Sequence, residues 1–254
     1  ACRLLEKWLD VKKIIIAIED NKPDCIEKMK AAAANDEHVE VRALPCMYPQ
    51  GGEKVLIYHT TGKIMPEGKL PIDVGSVVMN VTSVATLAHY CTTGMPLVEK
   101  CITVDGSAIK EPKNVIAPIG TACKEVIDFA GGFGCEPKKL VMGGPMMGVA
   151  VTTDELPVLK QNNGLLAFGA EEACFLEPTD CIRCGRCVAA CPMNLVPAKL
   201  EKYAERKDVE MLKKLDIMTC MECGCCAFSC PAKRRIVQAI RLGKYYVKKE
   251  AAKK

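Results

Sequence analysis

Eight cysteines in two matching runs constrain this chain more than any other feature. CIRCGRCVAACP spans Cys181 to Pro192, and CMECGCCAFSCP spans Cys220 to Pro231. Each reads C-x2-C-x2-C-x3-C-P. Three thiolates two residues apart wrap a loop around one face of a cubane cluster, and the fourth cysteine ligates the other cluster. The spacing predicts one [4Fe–4S] cluster on Cys181, Cys184, Cys187 and Cys230, and a second on Cys220, Cys223, Cys226 and Cys191. In this reading the fourth cysteine starts a helix that points away. Pro192 and Pro231 then turn the chain after it. Two such copies imply a pseudo-twofold fold that exchanges its fourth ligands. Zinc is the competing metal, but tetrahedral zinc sites use C-x2-C pairs and rarely triples with a trailing C-P.

The chain has 17 cysteines in 254 residues. A secreted disulfide scaffold would account for many thiols. Such chains are usually shorter and poorer in Ile, Val and Met, and no signal peptide opens this sequence. Cytosolic, reducing conditions are the expectation. Cys225 is a bystander by spacing and reads as a small buried filler. Cys2, Cys25, Cys46, Cys91, Cys101, Cys123, Cys135 and Cys174 follow no ligand spacing and read as reduced, mostly buried thiols. The net charge of +4 is mild, and no basic run with interleaved aromatics points to nucleic acid. No apolar run reaches the roughly 18 residues of a membrane helix. The chain opens at Ala1 in the middle of a helical pattern, ACRLLEKWL, as a piece of a longer protein would.

Three regions follow from patterning. Residues 1–94 read as an α/β unit. VKKIIIAIED is an apolar strand ending in acids, DCIEKMKAAAAND a helix with Pro23 in its first turn, and VEVRALP a second strand. Strand, helix and strand at this spacing predict a right-handed crossover in a partly parallel sheet. A helix begins near Gly52, and VGSVVMNVTSVATLAHYCTTG gives a strand, a turn near Asn80 and a helix ending at Gly94. Residues 95–168 read as a β-grasp-like module: strand, Asp105–Gly106 turn, strand, helix stopped by Gly131 and Gly132, and strand. Residues 169–254 hold the two cysteine runs with a helix between them. They end in a basic helix whose lysine-rich tail reads as a solvated end.

The α/β region has neither GxGxxG after a strand nor a P-loop. YPQGGEK, from Tyr48 to Lys54, sets Gly51 and Gly52 before Glu53 and Lys54 at a helix N-terminus. There backbone N–H groups and the helix dipole favour an anion, although a glycine-rich surface turn gives the same pattern. Asn80 either offers its amide to a ring edge or phosphate, or caps the following helix. Glu19 and Asp20 close a strand where open α/β sheets bind ligands, or belong to a solvated turn. MGGPMMG, Met142 to Gly148, reads as packing and tight turns at a domain interface.

IEDNKPD, YPQGGEK, LPIDVG, VVMNV, MGGPMMG and the doubled cysteine runs, in this order, resemble the C-component family of the Rnf complexes. These are the bacterial ion-translocating ferredoxin:NAD⁺ oxidoreductases. The upstream part is also similar to the NADH-binding flavoprotein of respiratory complex I, with its soluble-ligand-binding β-grasp (SLBB) module. The resemblance implies FMN and NAD(H) on a Rossmann-like α/β domain and a bacterial-type dicluster ferredoxin domain at the C-terminal end. Tyr48, Gly51, Gly52, Glu53 and Lys54 then match the loop beside flavin and nicotinamide. Asn80 matches an asparagine of the flavin motif, with Met79 and Thr82 where the family has Asn and Glu. Glu19 and Asp20 match an acidic strand end near the nucleotide. The family's glycine-rich flavin loop lies upstream of where this chain begins. The resemblance further implies partners: an iron–sulfur protein of ferredoxin type, integral membrane components that move Na⁺ or H⁺, and ferredoxin indirectly. It implies peripheral attachment at the cytoplasmic face of the membrane. The competing readings are an iron–sulfur component of a soluble NADH-linked dehydrogenase or hydrogenase, and a simple electron-carrier module.

Overall fold

The computed structural model describes residues 1–174 and 176–252. The last two lysines of the basic tail, Lys253 and Lys254, lie outside the described residues. The chain divides into two units. One comprises residues 1–94, 192–195 and 213–221, and the other residues 95–191, 196–212 and 222–254.

The first unit opens with helix α1 (Cys2–Leu9) and strand β1 (Ile14–Glu19). Helix α2 (Pro23–Ala33) follows, with Pro23 at its start, and leads to strand β2 (Val39–Leu44). Proline suits a first helical position because its missing N–H would have no partner there. β1 and β2 run parallel, from Ile14 opposite Val39 to Glu19 opposite Leu44, as the crossover reading requires. Hydrogen bonds from Arg42 and Lys13 hold the pKa of the Glu40 carboxyl down to about 2, and the Lys13 Nζ–Glu40 Oε2 pair closes to 2.5 Å. Helix α3 (Glu53–Thr61) starts after Gly52 and ends on Gly62 at φ 72°. Helix α4 (Val81–Thr93) starts on Asn80 and stops at Gly94, φ 74°. Both C-terminal glycines supply the left-handed turn that lets a helix end close on itself.

One expectation fails in this unit. Residues 75–79 form no strand. The apolar run VGSVVMN has the composition of a strand, but the sheet of β1 and β2 has two members. Without a ladder on either side an extended run stays irregular, and Val77 and Val81 are exposed.

The second unit begins with β3 (Glu99–Asp105), β4 (Lys113–Pro118), α5 (Cys123–Phe129), β5 (Lys139–Met142), β6 (Val149–Val151) and β7 (Gly164–Phe168). The sheet order is β4-β3-β7-β5-β6. β3 pairs with β4 antiparallel and with β7 parallel, and β5 pairs with β7 and β6 antiparallel. β3 alternates strictly, so Ile102 and Val104 face inward. They share one core with Val115, Leu165 and Ala167 of the sheet and Val126 and Ile127 of α5. The grasp arrangement is therefore present. Its central strand, β7, has no signature in the sequence beyond the short run GLLAF.

The remainder of this unit holds short α6 (Arg186–Ala189), α7 (Pro197–Glu205), α8 (Val209–Lys214), which ends in the first unit's segment, α9 (Cys225–Phe228) and α10 (Ile236–Ala251). α7 and α10 pack along each other. They bury Leu200 and Ala204 on one helix and Ile236, Ile240 and Val247 on the other. Arg234, just before α10, donates to Glu201 at 2.9 Å and Glu205 at 3.1 Å on α7. Glu201 is nearly sequestered from solvent, so this pair is one of the few buried charges. Removing either partner would strand the other.

Candidate electron-transfer site

The two cysteine runs adopt one backbone conformation twice. In the first, Arg183, Gly185 and Asn194 take positive φ of 56°, 76° and 53°. At the equivalent positions of the second, Glu222, Gly224 and Lys233 take 59°, 87° and 51°. Each run then enters a four-residue helix, α6 or α9, at the residue before its third cysteine. Four non-glycine residues in the left-handed region cost about 1–2 kcal/mol each. Such a cost persists only where surrounding structure or a ligand fixes it. Alternation of left- and right-handed residues also turns successive backbone N–H groups toward one side, a concavity that suits the sulfurs of an anionic cluster. The residues present therefore fit cubane ligation.

The helix assignment needs correcting. The third cysteine of each run, Cys187 or Cys226, lies on the short helix, and the fourth, Cys191 or Cys230, follows its C-terminal end. The C-x3-C spacing carries one helical turn between third and fourth ligands, and the long helices α7 and α10 begin only after the proline. Cys181 and Cys184 are exposed, Cys187, Cys191, Cys220 and Cys230 are half-buried, and Cys223 and Cys226 are buried. Seven of the eight lie in the second unit, while Cys220 falls in the segment counted with the first. Burial pushes the Cys223 thiol up, as does its side-chain hydrogen bond with Cys225, and burial also raises Cys187. Among the described residues no three His, Cys, Asp or Glu side chains converge as single-ion ligands do. A cubane instead takes its thiolates at separate corners.

The other cysteines depart from expectation. None of the seventeen forms a disulfide. Of the eight outside the ligand spacing, Cys123 is buried and Cys2 half-buried, while Cys25, Cys46, Cys91, Cys101, Cys135 and Cys174 are exposed. Cys225 is half-buried rather than a core filler. Cys101 is on the outward face of β3, whose other face supplies core residues, whereas Cys25 and Cys91 lie on α2 and α4, helices that bury no residue. Burial of a thiol follows that tertiary placement and not residue type.

In the first unit, Glu19 ends β1 and pairs with Lys22 Nζ at 2.6 Å. Asp20 Oδ1 accepts from the Cys46 amide at 3.0 Å, tying the end of β1 to the loop after β2. Tyr48 is exposed and precedes Pro49 through a cis peptide. Gly51 stands open, with nothing near where a side chain would project. Glu53 lies in the first turn of α3, where N–H groups lack intrahelical partners. Asn80 Oδ1 accepts from the Thr82 amide at 2.9 Å, which is the helix-cap alternative of its two readings. Side chains of Asp20 and Asn80 thus have protein partners. In the loop, the Gly52 N–H donates to the Pro49 carbonyl at 2.9 Å, while Glu53 and Lys54 open α3, where N–H groups lack intrahelical partners.

Two contacts in this unit were not legible from sequence. A side chain at Gly52 would run into the Met221 methyl. Lys54 Nζ reaches the Thr219 carbonyl at 3.4 Å. Thr219 and Met221 flank Cys220, so the loop singled out for the nucleotide touches the start of the second cysteine run. Gln50, buried beneath this loop, donates to the Pro45 carbonyl at 3.1 Å and accepts from His59 Nδ1 at 2.5 Å, which fixes the turn from below. A buried glutamine gives no sequence signal, since its partners lie outside any motif.

The two glycines that open the short helices differ in surroundings, which predicts different tolerance. Gly185 has nothing within 4 Å of a would-be Cβ, whereas at Gly224 the Met146 carbonyl oxygen stands 3.0 Å away and the Met146 methyl 3.4 Å. Gly185→Ala is expected to cost about 1–2 kcal/mol of backbone strain alone. Gly224→Ala should cost about 1–3 kcal/mol more, from overpacking. Urea unfolding midpoints of the two variants measure the difference, and equal costs would refute it.

Residues 1–89 match the Nuo51 FMN-binding domain, residues 101–150 the SLBB domain and residues 180–233 the 4Fe-4S dicluster domain. The sequence is 46% identical over 98% of its length to the C component of the proton-translocating ferredoxin:NAD(+) oxidoreductase complex of Clostridium ljungdahlii, covering 53% of that protein. It is 45% identical over 95% of its length to the C component of the Na(+)-translocating ferredoxin:NAD(+) oxidoreductase complex of Acetobacterium woodii, covering 55% of it. It is 40% identical over 95% of its length to the C component of the ion-translocating oxidoreductase complex of Rhodobacter capsulatus, covering 47% of it. A crystal structure of NAD+-reducing [NiFe]-hydrogenase in the H2-reduced state shares the fold, with TM-score 0.60 at 14% identity, over 96% of this chain and 51% of that one. The chain spans about half the length of the curated relatives it matches. Over nearly all of its own length, it belongs to the C-component family of the ion-translocating ferredoxin:NAD(+) oxidoreductase (Rnf) complexes.

Proposed function

We propose that this chain passes electrons between two [4Fe–4S] clusters and a flavin–nicotinamide site, within a membrane-associated ferredoxin:NAD⁺ oxidoreductase that moves Na⁺ or H⁺. The observation that carries the reading is the contact of Gly52 and Lys54 with the residues flanking Cys220. It brings residues 52–54 beside the start of the second cysteine run, which supports electron transfer between a nucleotide at that loop and a cluster. Cys181, Cys184, Cys187 and Cys230 hold one cluster, and Cys220, Cys223, Cys226 and Cys191 the other. FMN, when bound, supplies the two-electron to one-electron conversion that a hydride donor and iron–sulfur clusters need between them. The open backbone at Gly51 and the N–H groups of Glu53 and Lys54 receive its phosphate or that of NAD(H). Asp20 ties the end of β1 to the loop after β2 and Asn80 caps α4; with Glu19 and Tyr48 they position the site rather than react.

The protein's own work is orientation, water exclusion and tuning of potentials through contacts to the sulfurs. The chain is read as three domains, residues 1–94, 95–168 and 169–254, a division supported by family-model matches over residues 1–89, 101–150 and 180–233. No helix among the described residues is long and apolar enough to cross a membrane. By the names of its relatives, ion-translocating oxidoreductase complexes, we assign ion movement to integral membrane partners, with this chain on the cytoplasmic face and electrons arriving from ferredoxin through an iron–sulfur partner.

The test uses the intact protein, anaerobically loaded with iron, sulfide and FMN. NADH is expected to reduce the clusters, seen by EPR. Loaded clusters that stay oxidised with NADH and flavin present would overturn the reading in favour of a plain electron carrier.

A further inference from the structure

The two cluster loops are internal copies of each other, so differences between their surroundings are informative. The first loop is open: Cys181 and Cys184 are exposed, and no atom lies within 4 Å of a side chain built at Gly185. The second loop is covered. Cys223 and Cys226 retain 7% and 8% of their exposure. The cover over Gly224 is Met146, whose carbonyl oxygen and methyl both reach it. Met146 belongs to the MGGPMMG segment joining β5 to β6, so a loop of the β-grasp sheet closes over the second run. Its neighbour Met147 is exposed.

Resting on the cluster assignment above, we propose that Met146 is the solvent shield of the second-run cluster and makes that cluster the lower in potential of the pair. Reduction adds one negative charge to a cubane that its four thiolates already make anionic. Water stabilises that added charge, and an apolar cover withholds the stabilisation. The solvent-facing first cluster is then the easier to reduce. Charge within the loops acts in the same direction. Arg183 and Arg186 stand in the first run where Glu222 and Cys225 stand in the second. Glu222 is held by Arg241 at 2.8 Å and Lys244 at 2.7 Å, which offset its charge. Arg183 and Arg186 are exposed and screened by salt. Burial is therefore the larger difference between the two sites. An electron placed on the second-run cluster passes to the first, oxidising one cubane and reducing the other, with no proton or further reactant.

The test is an EPR-monitored redox titration of the anaerobic, cluster-loaded full chain, with Cys184→Ser used to assign the first-run signal. Two separate midpoint potentials are expected, the unassigned one lower. Met146→Ser should raise the lower potential by at least tenfold in the reduction equilibrium, about 59 mV for one electron, and leave the higher one in place. Met146→Leu, which keeps the bulk, and Met147→Ser, on the same loop, should change neither. Equal potentials in the unsubstituted protein, a reversed order, or no shift in a loaded Met146→Ser protein would each overturn the proposal. The order in the unsubstituted protein is read without any variant at 146, so misfolding of Met146→Ser leaves the proposal open to refutation. Absence of bound iron and sulfide would instead refute the cluster assignment itself.

Discussion

Cys223→Ala, prepared anaerobically, is expected to retain half the iron and sulfide of the parent and to lose its cooperative unfolding transition over the C-terminal part. The size of the effect follows from the backbone. Arg183, Asn194, Glu222 and Lys233 take positive φ of 56°, 53°, 59° and 51°, at about 1–2 kcal/mol each for non-glycine residues. Ligation offsets that cost, because cluster binding is folding free energy for a site that does not exist in the unfolded chain. The apolar contribution here rests mainly on Leu200, Ala204, Leu212, Ile236, Ile240 and Val247, which pack the helices and not the ligand loops. Cys225→Ala is the matched control. It changes a thiol beside Cys223 but removes no ligand, and should keep both clusters. Iron and sulfide analysis with near-UV circular dichroism reads the outcome. Full iron in Cys223→Ala would remove that residue from the ligand set.

Gly106→Ala is expected to cost about 3 kcal/mol or more and to unfold the β-grasp sheet. Gly106 follows β3 at φ 114°, a conformation that L side chains rarely adopt. A methyl there would also collide with the Ala167 backbone, with its nitrogen and carbonyl carbon at 2.9 Å and its oxygen nearer still. The obstacle is main chain of β7, the strand between β3 and β5, and it cannot rotate away. Ala108 donates to the same Ala167 carbonyl at 3.0 Å, so displacement would also break a strand-to-turn hydrogen bond. Gly120→Ala separates the two causes. It has φ 99° but open space around it, and should cost only the backbone strain, about 1–3 kcal/mol. Denaturant midpoints of the two variants give the comparison, and equal costs would show that the Ala167 contact is immaterial.

Much of this molecule is written in local chemistry. The two C-x2-C-x2-C-x3-C-P runs are legible in the sequence because a ligand loop is short, and they carry the proposal of two four-thiolate sets. Gly62, Gly94, Gly131 and Gly132 end helices or turns, because only glycine enters the left-handed region without strain. Pro23 and Asn80 begin helices through their own backbone and side-chain chemistry, and β1 and β2 announce themselves as apolar runs on either side of a helix. Tertiary structure decided what depends on neighbours distant in sequence. β7 is a five-residue run whose central place comes from pairing with β3 and β5. Residues 75–79 lack a strand because no partner stands beside them. Six cysteines are exposed, Cys101 because β3 turns it away from the core and Cys25 and Cys91 because their helices bury no residue. The methionines at 146 and 221 meet Gly224 and Gly52 across long stretches of chain. A contact of that kind imposes no periodicity on either segment, so only the folded chain could reveal which cluster loop is covered and which is open to water.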